Sequence, residues 1–262
     1  MPTISIAAKF HGSLMGAYLG HSYGAGYRGP WLPLHESPLY QSWLHGTQQN
    51  LLQPTPTDAN PLLGLPWLLH HHDNSDARHR WLAQIIESGH HTEAISVTET
   101  MATLGILGDC LAWLMHYNPV TQHSPPLLSQ HLSQQLPDYP ASLIPQAQHI
   151  IECLDPPSPT LNLEALDPQP SAIMVLAIQQ SLSYRENLAL AIAHPDIVTP
   201  IPAMIGCLLG AWGGMSVIPT RWILTIPPEQ RHSLEQIASK LYRHWAGIAN
   251  ISANCEVFPL DL

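Results

Sequence analysis

A chain of 262 residues, 45% of them hydrophobic, can bury a substantial core, and its length forces no division into two domains. Charged residues make up only 11%, and nine basic residues scattered singly against a net charge of -10 leave no cluster of Lys and Arg to track a phosphate backbone, which excludes nucleic acid as a partner class. Cys110, Cys153, Cys207 and Cys255 stand apart, without a C-x-x-C pair, and read as reduced thiols. The first dozen residues lack a charged segment followed by an apolar one, so a cytoplasmic protein is expected.

In chain order, residues 10–23 predict a first helix with Phe10, Leu14, Ala17 and His21 on neighbouring turns. A Gly/Pro break follows, then a short apolar hairpin or helix containing Trp31, Leu34, Tyr40, Trp43 and Leu44. Asp58 and Asn60 are placed to cap the helical run 61–72, where Pro66 marks a kink or the true start. His70, His71 and His72 end that run; adjacent residues point to different faces, so charge at a helix C-terminus is a plainer reading than metal ligation. Trp81, Leu82 and Ile85 form the apolar face of the next helix, capped by Asp73 or Ser75 and stopped by Gly89.

Met101, Leu104, Gly108, Leu111 and Met115 fall at helical intervals within a long helix over 92–117. Residues 124–170 carry a proline every few positions and read as a loose wrapping segment with one helix near 143–154. Helices at 171–181 and 184–193 lead to the stretch 196–219, and an amphipathic helix through Leu234, Ile237, Leu241 and Trp245 closes the chain. No strand alternation of convincing length is present, so the fold class expected is all-α.

Within 196–219, Gly206, Gly210 and Gly214 recur every four residues, as do Gly12, Gly16, Gly20 and Gly24 near the start. Each glycine inside a helix costs about 1 kcal/mol relative to alanine, and close approach of two helix backbones is the plainest compensation. The eighteen uncharged residues 201–218 reach the length of a membrane span, but two prolines at their start and the absence of flanking Lys/Arg favour a buried core helix.

The segment GSLMGAYLGHSYG at 12–24 resembles the opening motif of the ADP-ribosylglycohydrolase family, of form G-x-L-x-G-x-x-x-G-D-x-x-G. Residues 188–222 resemble its closing block, a G-G-D-x-D-T turn followed by A-x-x-G-x-L-x-G-A and I-P-x-x-W. TDAN at 57–60 stands where the family has T-D-D-T. The resemblance implies a compact single-domain orthogonal helical bundle over 1–262 and, in active members, two Mg2+ ions held by carboxylates. Position by position, the opening Asp is His21 and the T-D-D set is Thr57, Asp58 and Ala59. The closing Asp, Asp and Thr become Ile197, Thr199 and Pro200, after Pro195 and with Asp196 one residue out of register.

Magnesium wants hard oxygen ligands in near-octahedral geometry, so this set predicts no metal and no cofactor. The reading that follows is a catalytically degenerate, non-enzymatic family member that binds another protein as a regulator, scaffold or assembly factor, retaining at most a nucleotide or ADP-ribose-like ligand. The alternative is an active glycosidic hydrolase with a rearranged site using Asp58, Asp196 and His21 or Asp109.

Overall fold

The computed structural model describes residues 4–27, 31–48, 61–87, 95–117, 128–154, 169–185, 187–193 and 200–248. Every secondary-structure element among them is helical, which makes the fold all-α. The centre is a pair of antiparallel helices, α1 (Ile6–Gly24) and α10 (Ile201–Gly213). Both are apolar around most of their circumference, as helices enclosed on all sides must be. Ser5 starts α1 by accepting the Ala8 amide at 3.2 Å, which satisfies one of the donors a helix start leaves free.

The two glycine series meet in register. Gly16 lies against Gly206, Gly12 against Gly210 and Gly20 against Pro202 and Ala203, backbone on backbone. A Cβ on Gly206 would come closer than 3.0 Å to the Gly16 carbonyl, nearer than real Cβ atoms stand to any neighbour. Gly214 corrects the expected ladder in one respect. It ends α10 in a left-handed conformation, φ 60°, and turns the chain into a 3-10 segment, Gly214–Val217, while still packing against Gly12. The predicted continuous helix to Pro219 therefore stops six residues earlier.

On the other side of α1 runs α12 (Pro228–Trp245), also antiparallel. The Tyr18 hydroxyl lies 3.1 Å from the Gln230 side chain, His11 Nε2 is 3.2 Å from Ser239 Oγ, and Phe10 meets the Tyr242 ring edge-on at 6.0 Å. A third apolar helix, α5 (Ile95–His116), packs beside α10. Its end is fixed by Lys9, 2% exposed, whose ammonium donates to the carbonyls of Leu114 (2.6 Å), Met115 (3.1 Å) and Tyr117 (2.6 Å). A lysine thus supplies donors for three carbonyls that a helix C-terminus leaves unpaired, and burial lowers its pKa to about 8.

The remaining helices surround this centre: α2 (Pro38–Gln48), α3 (Leu65–His70), α4 (Ser75–Glu87), α6 (Leu128–Gln135), α7 (Ile144–Glu152), α8 (Pro170–Ser183), α9 (Leu188–Ala191) and α11 (Thr220–Thr225). Pro66 stands in the first turn of α3, where its missing N–H costs nothing, so it starts the helix rather than kinking it. The cap of α4 is neither Asp73 nor Ser75 but Asn74, whose Oδ1 accepts the Ala77 amide at 2.9 Å. The helix expected over 184–193 shrinks to the single turn α9, because the Asn187 side chain caps the Ala189 amide and starts it late. Within the segment expected to be loose, α7 stands where one helix was expected, and α6 is a second helix that was not. Among the described residues no helix is long and apolar enough to cross a membrane.

Candidate functional site

The antiparallel register of α1 and α10 brings the end of one helix to the start of the other. Gly20 touches Pro202 and Ala203, so His21, the next residue, stands at the mouth of α10, where Pro200 is the cap. His21 is half-buried, burial lowers its pKa, and its Nδ1 is enclosed without a hydrogen-bond partner. A neutral imidazole with one unused nitrogen is the result. Pro200 contributes its carbonyl to the Ala203 and Met204 amides and has no side-chain donor or acceptor.

An aromatic shelf flanks this end of α1. Tyr23 stacks on Trp222 of α11 at 5.9 Å, and Trp31 meets Trp222 at 5.2 Å with its Nε1 donating to Thr225 Oγ1 at 2.9 Å and to the Trp222 carbonyl at 3.1 Å. Trp222 is half-buried here, and Leu224 on the same short helix is 70% exposed. Thr57, Asp58, Ala59, Pro195, Asp196, Ile197 and Thr199 lie outside the described residues.

Asp109 is not part of this site. On α5, its Oδ1 takes the Arg78 guanidinium at 2.7 Å and its Oδ2 accepts the Tyr139 hydroxyl at 2.6 Å, with His79 Nε2 at 3.5 Å. The carboxyl is 1% exposed, and although burial pushes its pKa up, the adjacent His79 ring, the Arg78 charge and the bond from Tyr139 hold it below the usual carboxylate range. Both oxygens are committed to joining α4, α5 and the 3-10 turn Leu136–Asp138, which withdraws Asp109 from the catalytic alternative. Its partners lie thirty and thirty-one residues away in sequence, so no local pattern announces them.

Residues 111–249, just over half of the chain, match the ADP-ribosylglycohydrolase family. The chain belongs to that family. No curated protein and no solved structure matches it. The match runs from the second half of α5 through α12 and contains the whole closing block; the opening segment at 12–24 lies before it and is joined to it by the α1–α10 contact. Within this ADP-ribosylglycohydrolase domain, I-P-x-x-W falls at Ile218, Pro219 and Trp222, which explains the tryptophan: it ties the closing block to Tyr23 at the end of α1.

A pair of magnesium ions needs hard oxygen donors at these positions. The two that are described hold an imidazole and a proline ring, and neither is a hard oxygen donor. Among the described residues no three His, Cys, Asp or Glu side chains are placed to hold a metal ion, the histidine triplet included. The two described positions of the set, His21 and Pro200 out of seven, therefore do not fit the dimetal centre.

Proposed function

We propose that this member of the ADP-ribosylglycohydrolase family is catalytically degenerate and acts through binding, as a regulatory, scaffold or assembly protein. On this reading residues 1–262 form one domain, with 124–170 wrapped over its surface, working in the cytoplasm without a metal cofactor. His21 carries the reading. The close-packed pair that holds the site together is kept, whereas the position where the family resemblance puts an aspartate presents a neutral imidazole. One carboxylate at Asp58, or two with Asp196, cannot neutralise and position two divalent cations. The expected partner is another protein, and an ADP-ribose-like ligand remains compatible with the aromatic shelf of Tyr23, Trp31 and Trp222.

Calorimetric titration with Mg2+ and with Mn2+, each with and without ADP-ribose, tests this. No saturable metal binding is expected. Two ions bound per chain, lost on Asp58→Ala, would overturn the reading.

A second reading has one observation in its favour, the unpaired Nδ1 of His21. A neutral imidazole at the site could serve as a base in metal-independent glycosidic hydrolysis. Metal-independent release of ADP-ribose that disappears in His21→Asn would favour it over the first.

A further inference from the structure

The triplet His70, His71 and His72 belongs to no part of the candidate site, and its surroundings give it another role. His70, the last residue of α3, meets His71 at 4.6 Å and His244 in the last turn of α12 at 5.1 Å between ring centroids. His72 is 1% exposed and packs against Trp245 of α12 (4.9 Å), His116 at the end of α5 (5.5 Å) and Phe10 of α1 (5.6 Å). Five imidazoles from three helices and one turn therefore share a junction that α1 closes from below. Three of their ring nitrogens, His70 Nδ1, His72 Nε2 and His244 Nδ1, are buried without a hydrogen-bond partner. His72 Nδ1 faces the Leu69 carbonyl at 2.7 Å.

We propose that this junction is an acid-sensitive latch, which holds the last turns of α12 against the α3–α4 corner while its imidazoles are neutral and releases them when the imidazoles take up protons. The geometry leaves an imidazolium poorly provided for. The unpaired nitrogens have no acceptor waiting for a proton, and each ring centroid lies 4.6 to 5.5 Å from that of another imidazole. Of the charged groups that reach the cluster, the Asp73 carboxylate favours protonation, while Arg78 of α4 opposes it at His71 and His72. The Lys9 ammonium is bound to the carbonyls of Met115 and Tyr117 on either side of His116, and on α1 His11 is faced by Glu235 of α12. Burial, with the neighbouring imidazoles His71 and His244, lowers His70 to about 4, and burial lowers His71 and His72 as well.

The sign follows from linkage. A docked histidine with a lowered pKa binds fewer protons than a released one, so docking is fully favoured above 6.5 and is lost as pH falls from there toward 4. For His70 alone the docked-to-released ratio would fall by up to roughly 30-fold at pH 5, and solvent screening at this partly exposed residue brings the expected figure to about tenfold. On α1, Phe10 beside His72 and His21 are eleven residues apart, about 16 Å at the helical rise of about 1.5 Å per residue.

Amide hydrogen exchange of the whole chain at pH 7.5 and 5.0, corrected for intrinsic exchange, reads the latch peptide by peptide. We expect protection over 238–245 to fall about tenfold or more at pH 5.0 while 201–213 of α10 holds its protection. The double variant His70→Gln/His244→Asn should keep most of its protection over 238–245 at the lower pH. Unchanged protection of 238–245 in the wild type would overturn the proposal, as would a uniform loss across both peptides, which would mark general acid unfolding. Should the double variant not fold, the wild-type comparison decides by itself.

Discussion

Alanine at Gly206 should destabilise the protein although it is the better helix former. Propensity alone favours Gly206→Ala by about 1 kcal/mol. Against this, the new methyl would lie under 3.0 Å from the Gly16 carbonyl, where ordinary contact begins at 3.4 Å. Backbone faces backbone there, so no flexible side chain can yield, and α1 and α10 must separate by about an ångström along the whole ladder. Overpacking of this kind costs about 3 kcal/mol or more, the upper end of the usual range, and the net loss is about 2 kcal/mol or more. For a chain of this size that lowers Tm by roughly 4–8 °C. The control is Gly46→Ala in α2, where a Cβ meets nothing within 4 Å; it should raise stability by about 0.5–1 kcal/mol. Urea unfolding followed by far-UV circular dichroism measures both. If Gly206→Ala stays within about 0.5 kcal/mol of wild type while Gly46→Ala behaves as expected, the close-packing account fails.

Three further outcomes follow from the same structure. Lys9→Met removes the donor of three buried carbonyls and should cost about 2–3 kcal/mol in urea unfolding; a neutral result would mean that water replaces the ammonium. Asp109→Asn leaves Arg78 as an uncompensated buried charge and should cost about 3–5 kcal/mol near neutral pH. Because the Asp109 carboxyl is held below 3.8, its contribution is present above that value and lost as pH falls below it, so the gap between wild type and Asp109→Asn should narrow below about pH 4. Asn74→Ala removes the cap of α4 and should cost about 1 kcal/mol, measurable as a small fall in Tm.

The central pair was legible in the sequence because its signal is periodic on both partners. Gly12, Gly16 and Gly20 on α1 and Gly206 and Gly210 on α10 each repeat every four residues, and that spacing fixes a face and its register. Helix ends were less legible. Asn74 caps α4 beside two equally eligible neighbours, and Asn187 starts α9 where apolar periodicity suggested an earlier beginning. The helix α6 was hidden because it buries only Leu128 and Leu132 among Ser, Gln and His in a proline-rich stretch, too little to stand out. Long-range polar partners gave no signal. The Lys9 contacts span more than a hundred residues, and the Asp109 network draws on α4, α5 and Tyr139, so each residue looks unremarkable in its own neighbourhood. Of the site itself, His21 was singled out by the family resemblance, whereas its place beside the start of α10 and the aromatic partnership of Trp222 with Tyr23 and Trp31 had no signal in the sequence.

Peptides carrying ADP-ribose on arginine or on serine decide whether the chain retains hydrolytic chemistry. The purified chain is incubated with each peptide in the presence of Mg2+ or Mn2+, and free ADP-ribose is measured by chromatography and mass spectrometry. No release above the buffer blank is expected with either linkage or either metal. Metal-dependent release that is abolished by Asp58→Ala would show an active dimetal hydrolase instead.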